Sequence, residues 1–131
     1  MLKVVLFANG VVDLVIGLAL VVMPALGLRV PGWPVLGSEA VFIAGGWGLG
    51  IIVLGAGRVW AAFAPRYHWM WNVLGIIEAA PLALYALVRV VFTPTTMGQA
   101  ALPLYLGAVF AVLYILALVR NRAVVPKPAS D

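Results

Sequence analysis

The sequence has no cysteine, a single histidine and few charged residues. Without cysteine the chain forms no disulfide, no thiolate metal site and no cysteine nucleophile. The lone His68 leaves a metal site or a bis-histidine haem site without a second histidine ligand in one chain. Only 9% of the 131 residues are charged, against about a quarter in a soluble domain. Polar residues are therefore too few to cover a water-soluble globule.

Two further classes of function lack the residues they need. The Lys and Arg side chains stand at the ends of apolar runs and form no basic stripe, so nucleic-acid binding is not expected. The two serines, Ser38 and Ser130, fall in a loop and in the tail, away from any histidine and acid set for nucleophilic catalysis. The sequence identifies no cofactor, and enzymatic activity is not favoured.

Long apolar runs make up most of the chain. Hydrophobic residues account for 66% of the sequence and the mean hydropathy is +1.17, which is typical of an integral membrane protein. Each apolar run is close to the ~20 residues that cross a bilayer as a helix. We expect spans at residues 4–28, 40–57, 69–91 and 99–119. The predicted fold class is all-α, a membrane four-helix bundle forming one domain over 1–122, with a disordered tail at 123–131.

The distribution of bases predicts the orientation. Lys3, Arg58, Arg66, Arg120, Arg122 and Lys127 fall on one side of the four spans, and Arg29 and Arg89 on the other. Six bases against two favour cytoplasmic termini. Local signals agree with the span limits. Thr96 and Gln99 fit a capping box opening the fourth span. A cluster of aromatic residues before and within the third span predicts an interfacial belt. It comprises Trp60, Phe63, Tyr67, Trp69 and Trp71.

Two carboxylates, Asp13 and Glu78, lie inside the first and third spans at depths that differ by about 3 Å at the helical rise per residue. A charge at the bilayer centre costs at least ~2.5 kcal/mol, so such residues face protein or water and are candidates for function. Gly10 and Gly17 share a helix face with Asp13, and Gly75 shares one with Glu78. Small residues indicate close helix contacts, so both carboxylates are expected to face the bundle interior.

We expect the two carboxylates to approach each other and share a proton, because like charges in a low dielectric are not both ionised cheaply. Asn9, Asn72 and Tyr85 complete the predicted ligand or proton site. Such a site suits proton-coupled binding, or an amine or hydroxyl group of a lipid-like ligand. The alternative is that the carboxylates only lock helix packing through hydrogen bonds to their neighbours.

The second span contains Gly46 and Gly50 in a small-xxx-small pattern. This pattern predicts a close helix contact within the bundle or across a homodimer. A phosphate-binding loop is not expected, because no strand precedes these glycines.

Several of these features together resemble the small bacterial four-span proteins of the DoxX-like type. They are a polar first span from Asn9 to Asp13, Pro24 near its end, a glycine-rich second span over 45–57, and a last span ending in Arg120-Asn121-Arg122. The resemblance covers nearly the whole chain. It implies a bacterial inner-membrane protein and a class of small membrane subunits associated with redox or stress functions, with no defined activity.

Three functions compete at this point. The first is an accessory or structural subunit that docks on itself or on a larger membrane partner. The second is a lipid- or quinone-binding membrane protein that uses Asp13 and Glu78. The third is a proton-coupled transporter similar to the small multidrug resistance transporters, which share four spans and an acid in the first span. Against it, the lysine-containing end of that family's first span is absent, and an acid in the third span, such as Glu78, is not that family's pattern.

Overall fold

A computed structural model describes residues 1–28 and 36–122, with side chains as far as Arg120. Within these ranges the chain forms four α-helices and a short 3₁₀ turn at Pro65–Tyr67. The helices are α1 (Leu2–Ala25), α2 (Ser38–Ala62), α3 (His68–Phe92) and α4 (Met97–Arg122). All four are long and apolar enough to cross a membrane. The predicted all-α class is confirmed, whereas the predicted tail at 123–131 lies outside the described residues.

Helices α1 and α2 form a hairpin in which glycines oppose glycines. A Cβ placed on Gly10 would lie 2.7 Å from the carbonyl oxygen of Gly55, and one on Gly17 would lie 2.7 Å from that of Gly48. Any larger residue would therefore push the two backbones apart. Since small residues let membrane helices approach closely, these two pairs set the antiparallel register of the hairpin.

Helices α3 and α4 form a second antiparallel hairpin with a different contact. The ring of Tyr114 on α4 fills the space beside Gly75, where a Cβ would lie 2.6 Å from Tyr114 Cδ2. Nearer the middle of the hairpin, a Cβ on Gly107 would lie 2.9 Å from the carbonyl oxygen of Ala79. One glycine thus accommodates an aromatic ring and the other a backbone.

The helix ends follow from local sequence. Gly27 adopts a positive φ of 68°, and the N–H groups of Gly27 and Leu28 donate to the carbonyls of Pro24 and Met23. This Schellman arrangement ends α1 at Ala25, three residues before the predicted limit. At the start of α4, the Thr96 N–H donates to Gln99 Oε1 over 3.0 Å and the Gln99 N–H to Thr96 Oγ1 over 3.4 Å. The predicted capping box is confirmed.

The two hairpins meet in the half of the bundle nearest Met1, which we call the Met1 end. A buried apolar cluster there joins all four helices. Its members are Leu2, Val5, Leu6, Ala61, Ala62, Ala79, Phe110, Ala111, Tyr114 and Ala117. At the outer edge of this end, Arg120 Nη1 lies 3.4 Å from the sulfur of Met1. Basic residues stack on aromatic rings nearby, with Lys3 Nζ 4.7 Å from the centre of the Phe63 ring.

The clearest departure from the predicted spans is the end of α2. The sequence predicts that the second span stops at residue 57 and that Arg58 lies at the membrane surface. The helix instead continues to Ala62, and Arg58 is buried within it. Trp71 also departs from the predicted aromatic belt, because its ring packs between the hairpins against Gly57.

Candidate functional site

Arg58 connects the two predicted carboxylates. Its guanidinium pairs through Nη1 with Asp13 Oδ2 and through Nη2 with Glu78 Oε2. The arginine residue is 1% exposed, and its partners come from α1 in one hairpin and α3 in the other. The structure therefore brings Asp13 and Glu78 to one site, and an arginine stands between them.

Helix geometry explains why these three side chains meet at one depth. Side chains on an α-helix lean toward its N-terminus. Helices α1 and α3 begin at the Met1 end, so Asp13 and Glu78 lean toward that end. Helix α2 runs the other way and ends at the Met1 end, so Arg58 leans away from that end, toward the middle of the bundle. The long arginine side chain can therefore start near the membrane surface and place its charge deeper, between the two acids.

Asn9 supports the site from one turn before Asp13. Its Nδ2 donates to Asp13 Oδ2 over 2.7 Å, and Asn9 itself is buried. Asp13 therefore receives hydrogen bonds from both an amide and a guanidinium. Its side chain is 14% exposed, while that of Glu78 is 38% exposed. The two carboxylates differ in access even though they share one arginine.

The prediction that the two carboxylates share a proton, directly or through water, omits the arginine that lies between them. The sequence pattern predicts Arg58 at the membrane surface, so the expected site contains two acids and no base. A guanidinium between the acids removes the need for a shared proton, since each carboxylate has its own N–H donor. Two acids and one base still sum to a formal charge of −1 when all three are ionised.

Further buried polar groups lie in the half of the bundle nearest Met1. Asn72 and Tyr114 are 1% and 0% exposed. Several buried polar atoms in this region have no hydrogen-bond partner among the described residues. They are Arg58 Nε, His68 Nε2, Trp71 Nε1, Asn72 Oδ1 and the Tyr114 hydroxyl. The predicted residue Asn72 is thus buried in this half of the bundle.

Tyr85 is not covered by the other helices of the bundle, and its predicted role in ligand binding stays a prediction. Tyr85 lies on the same side of α3 as Glu78, but its exposed fraction is 64%. The contacts between the two hairpins lie toward the Met1 end of the bundle. The side of α3 that is packed against other helices at Trp71 is therefore exposed at Tyr85, two turns beyond Glu78. A helical stripe identifies a face, whereas the packing of neighbouring helices decides how far along that face is buried.

The predicted contact at Gly46 and Gly50 is also absent within the bundle. Both glycines are exposed, and a Cβ on either would meet no other atom within 4 Å. The glycines of α2 that pack on α1 are Gly48 and Gly55. The glycine-rich run contains several possible faces, and the Gly46 pattern selects the wrong one. Contact of Gly46 and Gly50 across a homodimer stays a prediction.

A sequence signal for Arg58 exists. Gly48, Gly55, Arg58 and Ala62 recur at helical spacing, which places Arg58 on the small-residue face of α2. A pair of acids buried in a membrane also calls for a compensating base. These two considerations together favour an arginine inside the bundle over one at its surface.

The chemistry available at the site is ionic and acid–base. Among the described residues, no group of three His, Asp or Glu side chains is placed to hold a metal ion. Arginine stays protonated in proteins, so Arg58 supplies a fixed positive charge and N–H donors. The carboxylates can accept hydrogen bonds or a proton. The site can therefore bind a proton or a polar group at the Glu78 side, where the carboxylate is partly accessible.

The fold and this site define a multi-pass membrane protein with an ionic cluster between two helical hairpins. No protein-family model matches the chain, and no curated protein or solved structure shows significant similarity to it.

Proposed function

We propose that this protein binds a small amphiphilic ligand within the membrane, between its two hairpins, through the Asp13–Arg58–Glu78 cluster. The observation that carries the proposal is the partial exposure of Glu78. Its side chain is 38% exposed although it is paired with a buried arginine. A carboxylate at membrane depth that is partly open is accessible to a molecule that enters from the bilayer.

The charge of the cluster indicates which ligand group fits. The formal charge of −1 favours a protonated amine, and a carboxylate oxygen also accepts a hydrogen bond from a hydroxyl group. Leu82 and Tyr85, which follow Glu78 along α3, are exposed and offer an apolar and aromatic surface to a hydrocarbon tail. The ligand is therefore a lipid-like molecule with a donor head group.

We also propose the orientation of the protein in the membrane and the membrane in which it lies. With Arg58 inside the bundle, five bases remain on the Met1 side, and Arg29 and Arg89 remain on the other. This asymmetry still favours cytoplasmic termini. The bacterial inner membrane is proposed on the strength of the resemblance to DoxX-like proteins.

Photolabelling in lipid nanodiscs tests the binding proposal. Three probes carry the same diazirine-containing tail and end in a tertiary amine, a hydroxyl group or a hydrocarbon. We expect the amine to label α3 near Glu78 most strongly and the hydrocarbon least. Glu78→Gln should lower amine labelling about ten-fold, because a charge-assisted hydrogen bond contributes roughly 1.5–3 kcal/mol.

Glu39→Gln is the matched control, since Glu39 is an exposed carboxylate in the first turn of α2. It changes the net charge equally and should leave labelling unchanged. Equal labelling by the amine and the hydrocarbon, or an undiminished signal in Glu78→Gln, would contradict the proposal.

An accessory subunit is the second candidate, and one surface favours it. Gly46 and Gly50 lie open on α2, and the intervening Trp47 is 68% exposed. A second helix could approach this face closely. If it is a docking face, Gly46→Leu should reduce the size of the natively purified complex without lowering the melting temperature of the bundle. An unchanged size would remove this candidate.

A further inference from the structure

Three of the unpartnered polar side chains, those of His68, Trp71 and Asn72, lie on one side of α3. Trp71, Asn72, Gly75 and Glu78 follow His68 by three, four, seven and ten residues, which places all five on one side of the helix. His68 begins α3 at the Met1 end, and Glu78 is paired with Arg58 deeper in the bundle. This side of α3 thus runs from the Met1 end of the bundle to the ionic cluster.

Each helix other than α1 contributes a buried polar atom with no partner among the described residues. Arg58 Nε comes from α2, the Tyr114 hydroxyl from α4, and the atoms of His68, Trp71 and Asn72 from α3. Buried polar groups are rarely left without hydrogen bonds, because each such group costs about 1–3 kcal/mol. Both donors and acceptors are present, and a water molecule can serve both.

We propose that water enters from the Met1 end and forms a hydrogen-bonded chain past His68, Asn72 and Tyr114 to Arg58, connecting Asp13 and Glu78 to the aqueous phase on that side. The site is a binding site for ordered water and a route for protons. It does not require the amphiphilic ligand, and it goes beyond the binding function proposed above.

Proton movement along such a chain is balanced at each step. A water molecule gives one proton to the next oxygen and receives one from the previous water, until a carboxylate oxygen takes the last proton. Arg58 gives up no proton, because guanidinium stays charged. The titratable and charged groups facing the route are Asp13 on α1, Arg58 on α2, His68 and Glu78 on α3, and Tyr114 on α4.

Water contact with individual N–H groups tests the proposal directly. We would record water-to-amide magnetisation transfer by NMR on the ¹⁵N-labelled full chain in nanodiscs. The indole N–H of Trp71 and the Nε–H of Arg58 should show strong transfer from water. The indole of Trp47 is the internal control, because it is more exposed than Trp71 but lies on an outer face within the membrane span.

The expected result is exchange at Trp71 at least ten-fold faster than at Trp47. No water transfer at either Trp71 or Arg58 would show that this region is dry and would overturn the proposal. Tyr114→Phe keeps the ring beside Gly75 and removes only the hydroxyl. It should weaken water transfer to Arg58, and an unchanged signal would remove Tyr114 from the route.

The direction of entry is tested by a matched pair of variants. His68→Leu closes the proposed mouth, whereas Tyr85→Leu makes a similar change beyond Glu78 on the other side of the cluster. We expect His68→Leu to slow exchange at Trp71 several-fold and Tyr85→Leu to leave it unchanged. The reverse pattern would show that water arrives past Glu78 and would contradict entry from the Met1 end. Failure of the amine probe to bind would leave these results unaffected.

Discussion

The two helical hairpins differ in the groups that pack against their glycines. In the α1–α2 hairpin, Gly10 and Gly17 oppose Gly55 and Gly48, so backbone meets backbone. In the α3–α4 hairpin, Gly107 also approaches a backbone, that of Ala79, but Gly75 opposes the ring of Tyr114. A backbone cannot move aside without moving its helix, whereas a ring can rotate or shift. The first hairpin is therefore expected to be the less tolerant of added atoms.

The ionic cluster is the link between these two units. Asp13 and Arg58 belong to the first hairpin, and Glu78 belongs to the second. The cluster therefore combines a pair within one hairpin with a pair across the two. This distinction separates substitutions that weaken one hairpin from those that also loosen the contact between them.

The largest effect is expected for Arg58→Met, which keeps a long unbranched side chain and removes the charge. Two carboxylates would then remain within the membrane without a counter-charge, and breaking a buried ion pair in this way costs about 3–5 kcal/mol. Unfolding free energy measured by steric trapping in micelles checks this expectation. The triple substitution with Asp13→Asn and Glu78→Gln should recover much of the loss. A single Arg58→Met variant as stable as the parent would show that the cluster contributes little.

Arg58 also shows what could and could not be predicted from the sequence. The four spans were predictable because apolar runs of sufficient length have few other structures, and the capping box at Thr96 followed from local hydrogen bonding. The convergence of Asp13 and Glu78 followed from depth and from neighbouring glycines. The pattern does not predict a buried arginine, because a base near the end of an apolar run usually lies at the membrane surface.

The remaining differences arise from packing between helices. Tyr85 and Gly46 both lie in patterns that indicate buried faces, yet both are exposed. Period and small-residue spacing describe one helix at a time. These patterns do not show where along their length the two hairpins separate, or which of the glycine faces of α2 packs on α1. Both features depend on the surfaces of the other helices.

The second-largest loss of stability is expected from a substitution at the glycine contact in the first hairpin. A Cβ on Gly48 would lie 2.7 Å from the carbonyl oxygen of Gly17, so Gly48→Ala forces the two helices apart. Overpacking of this kind costs typically 1–3 kcal/mol. Gly46→Ala is the control two residues away, where a Cβ meets nothing and alanine is the better helix former. Thermal melting in detergent should place Gly48→Ala below the parent and Gly46→Ala at or above it. Equal melting temperatures for the two variants would contradict the assigned register.

A smaller loss is expected when alanine is introduced in the second hairpin. At Gly75 the nearest atoms belong to the Tyr114 ring, which is fully buried but can shift more easily than a backbone. We expect Gly75→Ala to cost about 1 kcal/mol, at the lower end of the range for overpacking. Gly75→Ala should cost less stability when it is added to a Tyr114→Leu variant than when it is added to the parent protein, because the smaller side chain leaves room for the methyl group. A cost equal to that of Gly48→Ala would remove the proposed difference between the two hairpins.

The smallest effect concerns the start of α4 in the same hairpin. Thr96→Ala removes the hydroxyl that shares the Gln99 N–H with the Thr96 carbonyl, and loss of such a cap costs typically ~1 kcal/mol, less where the end is exposed. The long 3.4 Å contact and the exposure of both residues place the expected loss near 0.5 kcal/mol. Hydrogen exchange should accelerate at the Gln99 and Ala100 amides and remain unchanged at Gly107 in mid-helix. Exchange that rises equally along α4 would show that the substitution weakens the whole helix and not its first turn.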